Sequence, residues 1–131
     1  MTLVTLPGEL RARILRETRD AAPRECCGLL EGLRDEDGFR ITALHPARNL
    51  ALSPDRFELD PQDHFAAHKR ARANGHRLIG CYHSHPNGKC EPSAADRAGA
   101  GEENFLWLIA AGGQLNAFVH ADGGFARLDW A

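Results

Sequence analysis

The sequence has no Cys-x-x-Cys pair, no apolar run long enough to cross a bilayer and no excess of positive charge. The first absence leaves a structural zinc knuckle without ligands, because such sites take closely spaced thiolate pairs. Cys26, Cys27, Cys81 and Cys90 are therefore expected as reduced thiols, and the adjacent Cys26 and Cys27 do not bridge each other. The second absence argues against a membrane protein. The opening MTLVTLPGEL lacks the basic and apolar regions of a signal peptide, so a cytoplasmic protein is the expectation. The third absence, a formal net charge of -2, removes the global basic field that would argue for nucleic acid. The basic stretch Lys69-Arg70-Ala71-Arg72 reads as the solvated face of a helix.

What is present describes an ordinary globular chain. It has 131 residues, 43% apolar and 26% charged, enough for one domain over residues 1–131 with a real core. Leu10, Ile14 and Leu15 recur at helical spacing, which predicts a helix over 7–21, with Pro23 after it as the stop. Cys26–Leu30 has the length of a short buried strand. Asp35-Glu36-Asp37-Gly38 is a turn leading to a strand over 39–44, and so to a hairpin. Residues 45–55 read as a loop and 56–59 as a short strand. Asp60 caps a helix that starts at Pro61 and stops at Gly75. A strand over 77–83, a helix from Ser93 to about Gly101, and strands over 105–111, 115–120 and 125–130 complete the chain. The mixture predicts an α/β domain on one mixed sheet flanked by helices.

The chemistry concentrates in Leu78–Asp96, LIGCYHSHPNGKCEPSAAD. On a strand, residues i and i+2 share a side, so His83 and His85 point the same way and Ser84 points the other. Pro86 cannot donate to a ladder, which puts the pair at a strand end. Asp96 is the third candidate ligand, one turn into a helix capped by Ser93. Two imidazoles and a carboxylate leave a fourth position for water, the pattern of a catalytic zinc site. Hydrolysis of an amide also needs a proton carrier. Glu25, at the mouth of the apolar Cys26–Leu30 run, is the candidate base, and Ser93 the candidate oxyanion donor.

Taken together, Glu25, His83-Ser84-His85-Pro86 and Ser93-Ala94-Ala95-Asp96 resemble the motif of the JAMM (MPN+, Mov34/JAB) metalloproteases. Pro23–Leu30 resembles the small prokaryotic members, and Asn49 with Ser53-Pro54 and Phe57 resembles the stretch after their second strand. The resemblance implies a cytidine-deaminase-like fold and one Zn2+ held by His83, His85 and Asp96, with a catalytic water. It implies Glu25 as general base and Ser93 as oxyanion donor. The implied reaction is cleavage of isopeptide or peptide bonds after the Gly-Gly tail of a ubiquitin-like or small sulfur-carrier protein. The oligomeric state, a homodimer included, stays open.

Plainer readings stand beside these. Ser93 and Asp96 also match a capping box. Glu25 by itself would be a surface ion-pair partner, and Ser84 bonds backbone rather than acting as a nucleophile. Cys26, Cys27 and Cys81 fit as small core residues, while Cys90 sits in a loop near the site. His45, His64, His68, His76 and His120 are read as structural or exposed. The competing functions are a non-catalytic binding scaffold of the same fold and another metal enzyme. A nucleobase deaminase would need a Pro-Cys-x-x-Cys ligand pair, which is absent; an oxygenase using two histidines and a carboxylate would depend on Fe(II) and O₂.

Overall fold

A computed structural model describes residues 2–131. Seven strands and three helices follow in the order β1 (Leu3–Thr5), α1 (Gly8–Ala21), β2 (Cys27–Asp35), β3 (Gly38–Ala47), α2 (Pro61–Ala73), β4 (Arg77–Ser84), α3 (Ala94–Gly99), β5 (Phe105–Ala111), β6 (Gln114–Ala121) and β7 (Gly124–Trp130). The strands lie in the order β1-β3-β2-β4-β5-β6-β7, and β1 also pairs with β7, so the sheet closes on itself. β4 runs parallel to β5, and β1 parallel to both its neighbours; the other pairs are antiparallel. This is the mixed α/β architecture expected from the sequence.

Several boundaries differ from the sequence reading. β3 runs past Leu44 to Ala47, into residues read as loop, because His45, Pro46 and Ala47 stay paired with Leu29, Gly28 and Cys27 of β2. The strand β1 was not anticipated; three residues are too few to show a period, and it exists through its two neighbours. β2 runs beyond Leu30 to Asp35 because its polar second half is paired with β3 along its whole length. The expected strand over 56–59 is a single bridge, Asn49 to Leu59, which closes a loop instead of adding to the sheet. The helices begin where the capping chemistry places them. Asp60 accepts from the Gln62 amide at 2.8 Å with Pro61 behind it, and Ser93 caps α3.

Two apolar clusters hold the layers. Leu10 and Ile14 of α1 pack with Leu30, Ile41, Tyr82, Leu106, Leu108 and Leu115. Ala67 of α2 packs with Leu29, Cys81, Trp107, Ile109 and Phe118. An extra residue in β4, opposite Leu30 and Glu31, lets Ile79 face the first cluster while Cys81 faces the second. His83 follows Cys81 in alternation and so comes out on the α2 side, under the loop that precedes α2. The pairing of Cys27 with His83 sets the end of β2 beside the end of β4, which is what brings the region of residue 25 to the histidines.

Candidate metal centre

β4 delivers His83 fully buried, and His85 follows just past its end with its amide bonded to the Ala110 carbonyl at 2.8 Å. Their Nε2 atoms stand 3.0 Å apart. Asp96 closes the group: its Oδ2 is 3.1 Å from His83 Nε2 and 3.0 Å from His85 Nε2. The two imidazole nitrogens converge on one point together with a carboxylate. Donors held at about 2.0–2.1 Å from a tetrahedral ion stand about 3.3 Å apart, so these three side chains fit a single Zn2+ with only small adjustments.

The surroundings prepare the ligands. The Nδ1–H of His85 faces the Lys89 carbonyl at 2.8 Å, which orients the ring with its Nε2 towards the centre. Phe57 stacks on His83 at 4.4 Å between centroids, and Trp107 meets the same ring edge-on at 5.5 Å. Burial pushes His83 below the usual histidine range despite its bond to Asp96, which keeps the imidazole neutral as a ligand must be. Burial would raise Asp96, but hydrogen bonds from His83 and His85 outweigh it and hold the carboxylate well below its ordinary range.

Glu25 reaches the same place from 58 residues upstream of His83. The Cys26 amide donates to Ser84 Oγ at 2.8 Å, and the Ser84 amide donates to the Cys26 carbonyl at 3.1 Å. This reciprocal clasp is why Ser84 points away from its flanking histidines. Glu25 is 3% exposed, and its Oε1 is buried without a hydrogen-bond partner. Burial above all pushes its pKa up to about 7, against the attraction of His85 and with smaller repulsions from Asp96 and Asp55. Among the described residues, ligand atoms of Glu25, His83 and His85 lie within 4.8 Å of one another.

Ser93 serves its capping role fully. Its Oγ accepts from the Asp96 amide at 3.0 Å, while its own amide donates to Asp96 Oδ2 at 2.9 Å. The hydroxyl proton is not used in that box. Ser93 also lines a pocket of about 370 Å³ with Glu25, His85, Pro86, Pro54 and Asp55. Capping and donation into the pocket are therefore compatible.

All five residues singled out from the sequence meet here. The Lys89 carbonyl, the Trp107 edge and the stacking role of Phe57 were not foreseen; a backbone carbonyl leaves no mark in a sequence, and an aromatic in a strand reads as core. Cys90 lies beside the loop but is engaged elsewhere, its thiol 3.0 Å from the Ile109 carbonyl. No described helix is long and apolar enough to cross a membrane. The homodimer left open by the sequence gains no support.

Similarity to known proteins covers most of the chain. It is 36% identical over 111 residues to a desampylase of Haloferax volcanii, covering 81% of this chain and 78% of that protein. It is 36% identical over 89 residues to a probable TtuB-protein conjugate cleaving protease of Thermus thermophilus, covering 67% of this chain and 54% of that one. A solution structure from Desulfitobacterium hafniense superposes with a TM-score of 0.88 at 31% identity, covering 98% of this chain and 92% of the other. With residues 7–121 matching the family model for prokaryotic homologs of the JAB domain, the chain belongs to that family.

Proposed function

We propose that this protein is a zinc-dependent isopeptidase or peptidase that hydrolyses the amide bond after the Gly-Gly tail of a ubiquitin-like or small sulfur-carrier protein. The observation that carries the reading is the convergence of His83 Nε2, His85 Nε2 and the Asp96 carboxylate within 3.1 Å of one another, beside a buried, unpartnered Glu25. The desampylase and conjugate-cleaving relatives support the substrate class. One domain over 1–131, a cytidine-deaminase-like arrangement and a cytoplasmic setting belong to the same reading; two buried thiols and two half-buried ones, all unpaired, suit a reducing compartment.

His83, His85 and Asp96 would hold a zinc ion, which would supply Lewis-acid polarisation of the scissile carbonyl and a water acidic enough to ionise near neutral pH. Two carboxylates compete for the third ligand position, and their electrostatics separate them. Asp96 is held well below the ordinary carboxylate range, so it is the anionic ligand that would hold the cation. Glu25, with its pKa pushed up to about 7, exchanges a proton near neutrality. It takes the proton of the attacking water and returns it to the leaving amine. Ser93 donates its free hydroxyl proton to the oxygen that becomes negative. The pocket walled by Pro54 and Pro86 receives the chain beside Glu25.

The test is incubation of the zinc-loaded protein with Gly-Gly-tailed carriers and their conjugates, read by mass spectrometry with and without chelator. Chelator-sensitive release of the carrier ending in Gly-Gly is the expected result. Protein that binds no zinc and cleaves nothing would restore the non-catalytic scaffold.

A further inference from the structure

The peptide unit between Glu25 and Cys26 is held at both of its polar atoms by side chains rather than by a strand ladder. Its N–H, from Cys26, donates to Ser84 Oγ at 2.8 Å. Its carbonyl, from Glu25, accepts from Asn49 Nδ2 at 3.0 Å. A peptide plane fixed at both ends fixes the direction in which the Glu25 side chain leaves the backbone.

Asn49 has more to do than this one bond. Its Nδ2 also reaches the Arg56 carbonyl at 3.4 Å. Its Oδ1 accepts from the amides of Ala51 and Glu58, each at 2.9 Å. Two donors and two acceptor sites are all a carboxamide possesses, and every one is engaged. The oxygen half seats the loop over 49–58; the nitrogen half reaches back to Glu25. Arg24 adds a second stitch, its guanidinium 2.6 Å from the Ala51 carbonyl. The loop so held carries Phe57, stacked on His83, and Pro54 and Asp55, which line the pocket with Glu25.

We infer that Asn49 is the positioning residue for Glu25, and that it makes the aim of Glu25 depend on the seating of the 49–58 loop over the centre. The inference rests on Glu25 as the proton carrier proposed above. It follows from the division of labour within one side chain: no other residue type of this length offers both halves. A displacement of Glu25 by about 1 Å is enough to cost on the order of 10²-fold in rate.

Asn49→Asp separates the two halves. It keeps both acceptor positions for Ala51 and Glu58 and loses the donor to Glu25. Zinc content, kcat, KM and amide hydrogen exchange at Ala51 and Glu58 are measured in zinc-loaded wild type, N49D, N49S, R24A and E25Q. In N49D the two amides stay protected and zinc is retained, KM moves by less than about 2-fold, and kcat falls roughly 10- to 100-fold. Asn49→Ser is too short to reach the Glu25 carbonyl; if N49D fails to fold, it gives at least the same kcat loss, with exchange at Glu58 reporting any loosening of the loop. R24A, which loosens the loop but leaves the Glu25 carbonyl bonded, loses much less kcat than N49D. Wild-type kcat in N49D or N49S, or an equal loss in R24A, overturns the inference. If E25Q itself turns over normally, the proton role of Glu25 falls first; if E25Q is inactive while N49D is normal, only the positioning role falls.

Discussion

Glu31 with His45 and His76, and Asp96 with His83 and His85, are two groups of one carboxylate and two imidazoles in the same domain. In the first, the carboxylate sits in the middle. Its Oε1 takes His45 Nε2 at 2.8 Å, and its Oε2 takes His76 Nδ1 at 2.7 Å and Asn74 Nδ2 at 3.0 Å. Burial would raise Glu31, but the bonds from His76, His45 and Asn74 outweigh it and lower its pKa. In the second group the two imidazole nitrogens face each other, and His83 Nδ1 and Glu25 Oε1 are left buried without partners. The first arrangement satisfies its own polar atoms and ties the end of α2 to the sheet. The second converges two imidazole nitrogens and a carboxylate on one shared point and leaves a buried carboxylate oxygen of Glu25 without a partner beside it, which costs stability in the metal-free protein.

Removing a ligand is the hardest test of the contrast. His83→Ala or Asp96→Ala is expected to abolish stoichiometric zinc binding and cut turnover by at least about 10³-fold, while His45→Ala leaves both zinc content and kcat near wild type; metal analysis and steady-state rates decide it. Glu25→Gln is expected to retain zinc and lose roughly 10²- to 10⁴-fold in kcat. The same substitution sharpens the comparison on the stability side. A carboxyl whose pKa is raised to about 7 contributes stability below its ordinary pKa and loses it as pH rises through about 7. Metal-free E25Q should therefore melt above metal-free wild type at pH 8, by on the order of 3 kcal/mol in stability, and match it near pH 4. A wild type that is the more stable of the two at pH 8 would contradict an unsatisfied, costly Glu25.

Ser93→Ala comes next, with an expected loss of about 10²-fold in kcat and about 1 kcal/mol in stability from the lost cap. A stability loss with unchanged kcat would leave Ser93 as a cap only. Glu31→Gln is the smallest effect on activity and the reverse in kind. It disturbs a bonded network, so denaturant unfolding should report a loss of about 1–3 kcal/mol with zinc content and kcat unchanged. Because Glu31 is held below its ordinary pKa, that difference is present above the ordinary carboxylate range and shrinks as the pH falls through it.

These two groups were unequally legible. His83, His85, Ser93 and Asp96 lie within fourteen residues, where strand alternation and helix capping suffice to relate them. Glu25 needed the pairing of Cys27 with His83, a long-range contact that no local period announces; its place at the mouth of an apolar run made it a candidate, and the family resemblance favoured it over a surface ion-pair partner. Glu31, His45, Asn74 and His76 come from two strands and a helix end, and each looks unremarkable where it stands. Helix starts were readable because Asp60 and Ser93 carry their caps in their side chains. β1 and the 56–59 bridge were not, since both exist only through partners elsewhere.

The bridge from Asn49 to Leu59 has one further consequence. It brings the two ends of the intervening loop together, with Leu50 donating to the Glu58 carbonyl at 2.8 Å, while Leu52 at the tip is 98% exposed. Lengthening a loop whose ends are already joined costs only about 0.6 kcal/mol per doubling. Residues inserted near Leu52 would thus lie at the rim of the reacting centre, and they would leave the proton carrier in place only where Asn49 and Ala51 keep their bonds. Recognition at this rim can be rewritten as long as those stitches hold.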